Sequence, residues 1–511
     1  MTEDLLRRKY IKMNYKILSL FLLFCTALPA QNIRQTYRNP VIAGDFPDPS
    51  MIRVGEDYYA AGTSSDFAPN YPLYHSTDLV NWTRIGFVFP ETPEWIAGSC
   101  WAPELFYHND TFYVYYTARK KSDNTSCIGV ATTKNISGGF TDHGPLIEWG
   151  NEAIDAFVFC DTDKQLYIIW KAYGLDPTRP IELLASGLSP NGLALTGEVF
   201  SLTKHDDGWI GHGDEGECLV KHGEYYYLLY SIGGCCDNRC DYNVRVARSK
   251  SLKGHWEQYP EAILEGGGIW KCSGHGTLVE TPDKRYFYLY HAYNAYDFEF
   301  VGRQGLLDEL GWDENSGWPY FKTGNHPSAQ AEMPFPNTKQ VRKTVFYDDF
   351  SSNQPNYQWQ WDMKSPQDIR FFGINPLTGN YTMETAVVDA GDDLKGLAVY
   401  GNAGNYIAWG VKNNELQLYE VKNGEKHIIN NYKLENNTPS VYLKIESVTG
   451  RLFRFYWSSD QNEWHTFMEA NAHYDGSYIP RWGAGIHAGL LVENSAGNQR
   501  MFPWFKLETS Y

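Results

Sequence analysis

The stretch KHGEYYYLLYS, residues 221–231, decides the fold. A polar residue and a glycine make a turn, and a strand-forming run of aromatic and aliphatic residues follows. The pattern occurs four more times: VGEDYYAAGT (54–63), HNDTFYVYYT (108–117), DTDKQLYIIW (161–170) and TPDKRYFYLYH (281–291). The five runs begin 53 to 60 residues apart. A second short apolar strand precedes each turn, as SMIRV, ELFYH, FVFCD, CLVKH and TLVET. Weaker outer strands are legible at 73–86, 127–135 and 244–259. Each unit therefore reads strand, tight turn, strand and a weaker pair, with almost no helical periodicity. Five such units predict an all-β chain that opens with a five-bladed β-propeller over residues 35–325.

Working outward, a polar, Pro-containing stretch at 326–343 reads as a linker. The texture then changes. LQLYEVKNG (416–424) and VYLKIE (441–446) alternate polar and apolar residues, as half-buried strands do. Residues 344–511 are expected to form an antiparallel β-sandwich, with Trp359, Trp361, Trp409, Trp457, Trp464 and Trp482 in its core. At the other end, ILSLFLLFC (17–25) follows five basic residues and ends near Ala30. It is too short to span a bilayer and reads as a signal peptide over residues 1–30, giving a periplasmic or secreted protein. Phe24 before Cys25 disfavours a lipid anchor.

The 511 residues carry 44 Lys+Arg against 61 Asp+Glu, a formal charge of −17. Removing the signal takes five bases and two acids and leaves 39 against 59. That balance excludes nucleic acid as a partner, since no basic surplus exists to neutralise phosphates. The 17 Trp, 37 Tyr and 26 Phe exclude disorder. An exported chain permits disulfides, and one or two are expected among Cys218, Cys235, Cys236, Cys240 and Cys272, with the pairing open.

One position per unit stands out, where the inner strand begins. It holds Asp48 in GDFPDPS, Trp101 and Glu104 in WAPEL, Asp155 in AIDAF, Glu215 in GDEGE and His275 in SGHGT. The acids and the histidine are 107, 60 and 60 residues apart. Equivalent positions of successive blades converge on one axis. Like charges brought together there raise one another's pKa, so convergent carboxylates point to acid/base work. Two carboxylates flanking a pocket can hydrolyse a glycosidic bond, one activating water and one protonating the leaving oxygen.

These residues carry a resemblance. NPVIAGDFPDPSMIRVGEDYY, the Asp of AIDAFVFCD, the Glu of DEGECLVKHGEYYYLLYS and the GR, GW and GWP pairs within 302–319 look like glycoside hydrolase family 43. The C-terminal part resembles the concanavalin-like sandwich appended to many β-xylosidases of that family. The resemblance implies an inverting hydrolase with Asp48 as general base, Glu215 as general acid and Asp155 as the residue that tunes the acid. It implies Trp101 as a wall of the sugar pocket, Arg303 as a substrate contact and His275 as an axis histidine that ligates one calcium ion or orients water. Phe46, Phe157 and Trp209 are further pocket candidates, being aromatics beside blade starts. The family has a small residue or Pro where Glu217 stands, which makes Glu217 and Asp214 rivals for the acid role. Glu104 reads either as a buried structural acid or as a substrate contact.

The implied substrate is a plant cell-wall polysaccharide or oligosaccharide that loses xylose or arabinofuranose units. Within the family the alternative is an endo-arabinanase or a galactan-directed hydrolase. Outside the enzymes it is a non-catalytic carbohydrate-binding propeller, against which the presence of all three acids counts.

Overall fold

The computed structural model describes residues 35–511 apart from 177–178, 203–213, 237–238, 353–355, 389–390, 436–439, 470–471, 481–482 and 494–501. The signal segment, Trp209 and Trp482 lie outside the described residues.

Residues 50–321 form five antiparallel sheets, each built in sequence order from its inner strand outward. The inner strands are Ser50–Val54, Ile96–His108, Glu152–Cys160, Glu215–His222 and Trp270–Glu280. The aromatic runs are the second strands: Asp57–Ala61, Thr111–Lys120, Leu166–Asp176, Tyr225–Ile232 and Tyr286–Asn294. Their continuous apolar texture has a physical cause. A second strand is covered on both faces by neighbouring blades, so Phe112 through Ala118 are all buried and no polar face is needed. The tyrosines therefore belong chiefly to the inter-blade cores, as in the cluster holding Tyr226, Tyr227, Tyr230, Tyr288 and Tyr290.

The ring of blades is closed by its two ends. Thr36–Arg38 pairs with Gln330–Glu332, and Ile42 bridges Gly305 of the fifth blade. Asn39 clamps the join, donating to Leu307 O at 3.1 Å and accepting from Leu307 N at 3.0 Å. The stretch read as a linker thus contributes a strand and buries Met333 in the core between blades 1 and 5.

The C-terminal part stacks a seven-stranded on a six-stranded antiparallel sheet. Here the alternation does what it should: Val441–Val448 places every second residue in the core. Trp409 is fully buried there, whereas Trp361 is exposed. The edge strand Glu425–Lys433 is charged, Asn-rich and almost wholly exposed, which blunts an edge that could otherwise pair with another chain. The sandwich grips the propeller. Trp361–Asp362 pairs with Phe67–Ala68 of blade 1, Phe67 stacks on His487 at 3.7 Å, and Lys364 reaches Asp66 at 2.9 Å.

Candidate active site

Each inner strand carries, within it or just before it, a residue near the axis in the left-handed backbone region: Asp48 (φ 51°), Ala102 (39°), Asp155 (55°), Gly216 (59°) and His275 (44°). In blades 2 to 5 the strand ladder slips beside that residue. Such a bulge re-aims the side chain, here out of the sheet and towards the axis. Non-glycine residues in this region are strained and cluster at functional sites. Blades 1, 3 and 5 place a chemical group there; blades 2 and 4 place Trp101 and Glu215 one residue earlier.

Asp48 is the most heavily held of the three acids. Arg303 Nη1 lies 2.6 Å from its Oδ1, and Thr63 donates to its Oδ2 at 2.7 Å. Burial alone would raise its pKa, but Arg303, His291 and His275 outweigh burial and keep it far below the ordinary carboxylate range. Asp48 is therefore ionised. His291 accepts from Asp48 N at 3.1 Å through Nδ1, and burial followed by Arg303 lowers its pKa to about 4, so it is neutral above that pH. Asp155 differs. Burial raises it to about 6, with His275 opposing and Glu215 adding to the rise. His275 Nδ1 joins the two, 3.5 Å from Asp48 and 3.9 Å from Asp155.

Glu215 is the acid that reaches furthest out: its side chain is 16 % exposed, against 10 % for Asp48 and 8 % for Asp155. Lys171 Nζ stands 2.5 Å from its Oε2, and Tyr242 adjoins it. Burial pushes Glu215 up, but Lys171, His275 and Tyr242 together outweigh it and the net shift is downward. The rivals are shut away. Both carboxyl oxygens of Glu217 are buried without a hydrogen-bond partner among the described residues, and Asp214 is also buried. Neither can touch a glycosidic oxygen. Glu104 takes its structural reading, buried and accepting from Ser50 at 2.6 Å, with burial raising it to about 8.

Two expected pocket residues are corrected by their burial. Phe46 is 0 % exposed and packs edge-on against Tyr74 at 4.9 Å, in the core between blades 1 and 5. Phe157, two residues past Asp155, lies in the core between blades 3 and 4. Each lies two residues from the axis acid of its blade, and its side chain packs into a blade interface instead of facing the axis. Trp101 is half-buried at the mouth of blade 2, with Arg119 5.7 Å above its ring. Arg303 is at the centre of the site, paired to Asp48. Among the described residues no three His, Cys, Asp or Glu side chains gather to hold a metal. Among the described residues, Asp48, the carboxylate nearest His275, is already engaged by Arg303, so few protein oxygens are left beside His275 for a calcium ion.

The sandwich also reaches the site, which the sequence does not reveal. Arg303 Nη2 donates to Gly483 O at 3.2 Å. Asp45 accepts from Arg303 N and from Gly485 N, both at 2.9 Å. Next to Gly483, Cys240–Cys272 ties the loop after the second strand of blade 4 to the inner strand of blade 5, and Cys235 pairs with Cys236. Cys218 stays a buried free thiol.

The family model described as Glycosyl hydrolases family 43 matches residues 37–319, more than half the chain. The chain belongs to this family. A Beta xylosidase C-terminal Concanavalin A-like domain matches residues 379–508 of the same glycosidase. The family 43 enzyme is 25 % identical to a beta-xylosidase of Bacillus subtilis, over 90 % of this chain and 97 % of that one. It is 31 % identical to a non-reducing end alpha-L-arabinofuranosidase of Bacteroides ovatus, over 60 % and 56 %. The crystal structure of the GH43 BlXynB protein from Bacillus licheniformis shares the fold, with a TM-score of 0.78 at 23 % identity over 93 % of this chain and all of that one.

Glu217 gives this glycosidase a pH signature of its own. Burial and then Asp155 raise its pKa well above that of a free glutamate. The folded state therefore holds a proton that the unfolded chain releases near pH 4.5, and stability falls as pH rises above that point. Glu217→Gln keeps the shape and removes the titration. The variant is expected to gain stability relative to the parent as pH rises from 5 to 8. Parallel urea melts at the two pH values measure this, and equal pH slopes refute it.

Proposed function

We propose that this family 43 glycosidase is an exported, inverting enzyme that removes xylose units from the non-reducing ends of plant cell-wall oligosaccharides. Asp48 activates the water, Glu215 protonates the leaving oxygen, and Asp155 with His275 orients the pair. The observation that carries the reading is the contrast among three acids at one axis. Asp48 is clamped in its ionised form, as a base must be, while Glu215 has the most exposed side chain of the three. Water attacks the anomeric carbon on the face opposite the leaving group, so one displacement inverts the configuration and no covalent sugar forms. The proposed mechanism runs without a calcium ion.

Xylose is favoured because the relative matched across both domains is a beta-xylosidase. Arabinofuranose is the second reading, favoured by the higher identity of the propeller to an arabinofuranosidase. The two disulfides, beside the signal-like start, support export. The test is a panel of aryl β-D-xylosides and α-L-arabinofuranosides, with the first-formed anomer read by NMR. A β-xyloside should release α-xylose first; retention of configuration would sink the mechanism, and inactivity on both series would sink the substrate class.

A further inference from the structure

The five blades obey one hydrogen-bonding rule, and blade 3 departs from it. Near the axis, equivalent positions of the second strands or the residues just after them hold Thr63, Thr117, Lys171, Ser231 and His291, 54 to 60 residues apart. Four of these accept a hydrogen bond from the backbone N–H of the left-handed residue in the next blade. Thr63 accepts from Ala102 at 2.8 Å, Thr117 from Asp155 at 3.0 Å, Ser231 from His275 at 2.9 Å and His291 from Asp48 at 3.1 Å. Each acceptor thus anchors a backbone conformation that a side-chain-bearing residue does not adopt freely.

Lys171 holds the same place in blade 3, and an ammonium has no lone pair to offer. The residue it faces in blade 4 is Gly216, which takes the left-handed region without strain. The anchor is therefore dispensable there, and the position is released for another use. Lys171 points its charge at the neighbouring side chain instead. Its Nζ lies 2.5 Å from Glu215 Oε2, it is 3 % exposed, and the Tyr173 ring lies 4.7 Å away.

We propose that Lys171 is a positioning residue for the leaving-group acid: it holds Glu215 through Oε2, presents Oε1 to the glycosidic oxygen, and stabilises the carboxylate left when the proton departs. The proposal rests on the reading of Glu215 as the acid. In the step, the Glu215 proton passes to the glycosidic oxygen as the bond from that oxygen to the anomeric carbon breaks, and the bonding electron pair leaves with the oxygen. Water adds to the carbon and gives its proton to Asp48. Glu215 ends as a carboxylate against the Lys171 ammonium, a charge-assisted bond made ready before the charge develops.

Among the described residues, the groups facing Glu215 are Lys171, Asp155 and Tyr173 from blade 3, Glu217 and Tyr242 from blade 4, and His275 from blade 5. Against burial, Lys171 is the strongest of the influences that lower Glu215. It makes the acid stronger, and it also sets the alkaline limb of kcat/KM at lower pH than an unpaired glutamate would.

Lys171→Thr tests this in the full-length enzyme, because it installs the residue that blades 1 and 2 already use at this place. The substrates are xylobiose, whose leaving group needs the acid, and 2,4-dinitrophenyl β-D-xyloside, whose leaving group does not; the arabinofuranosyl pair replaces them if the panel selects arabinose. Expected are a fall of about 100-fold in kcat on the disaccharide and less than about 3-fold on the dinitrophenyl glycoside, within the range for one proton-transfer group. The alkaline limb should move up by about one pH unit or more. Lys171→Arg, which keeps the cation, should leave the limb in place and recover most of the loss. Equal losses on both substrates, or an unmoved limb in Lys171→Thr, would overturn the proposal. If Lys171→Thr does not fold, a shifted limb in Lys171→Arg would overturn it as well. Glu215→Gln run alongside separates the two readings: if it still cleaves the disaccharide, the acid assignment has failed, not the role of Lys171.

Discussion

Asp48→Asn is expected to lower kcat by about 10³-fold or more, near the upper part of the range for a single acid/base group. The amide matches the carboxylate in shape but keeps one acceptor oxygen, so it can accept from Arg303 or from Thr63 and not from both, as Asp48 does through its two oxygens. It cannot take a proton from water. The loss should therefore appear in kcat on every substrate, good or poor leaving group alike, with KM changed little. That uniformity separates the base from the acid, whose loss falls on poor leaving groups alone. The substitution also strands the Arg303 guanidinium, which is buried and faces Asp48 through Nη1. Removing one partner of a buried ion pair costs about 3–5 kcal/mol. The sign with pH follows. Asp48 has a depressed pKa, so its contribution to stability is present above the unfolded value near pH 4 and is lost as pH falls below it. Asp48→Asn should be less stable than the parent at pH 7 and converge with it in acid. Retention of more than a tenth of kcat would remove Asp48 from the mechanism.

The second large effect is expected from the sandwich. Gly485 donates to Asp45 across 440 positions of sequence, and Asp45 in turn holds the backbone of Arg303. A Cβ on Gly485 would lie 2.7 Å from Val301 O and 3.0 Å from the Asp45 Cβ. Gly485→Ala must push this loop away from blade 5, carrying Gly483 off the Arg303 guanidinium. A misplacement of about 1 Å in a positioning group costs about 10²-fold. We expect kcat/KM to fall about 10- to 100-fold on all substrates, by a residue that touches neither sugar nor catalytic acid. Tyr432→Ser, on an exposed edge strand of the same sandwich, should leave kcat/KM unchanged. Wild-type activity in a folded Gly485→Ala enzyme would reduce the sandwich to a support.

Much of this was legible beforehand. The aromatic runs announce blades because second strands are buried on both faces, and the alternation past residue 344 announces a sandwich because its strands are buried on one. The axis acids are legible because blade repetition converts a sequence interval into a shared place. The same repeat carried one further signal that composition hides. The last residue of four runs, Thr63, Thr117, Ser231 and His291, and the residue just past the third run, Lys171, hold the place that touches the next blade's mouth, and lysine is the odd residue among them.

Phe46 and Phe157 went astray for a local reason. Each stands two residues from an axis acid, and at that offset the side chain packs into the adjacent blade interface. What the sequence by itself determined was the blade count, the two-part architecture and three acids on one axis, all of which follow from periodicity. Only the tertiary structure decided their division of labour. Whether a carboxyl is clamped by Arg303, tied to Lys171 or buried alone like Glu217 depends on groups from other blades and from the sandwich. Charge acts through distance in space, and that distance is set when the ring closes.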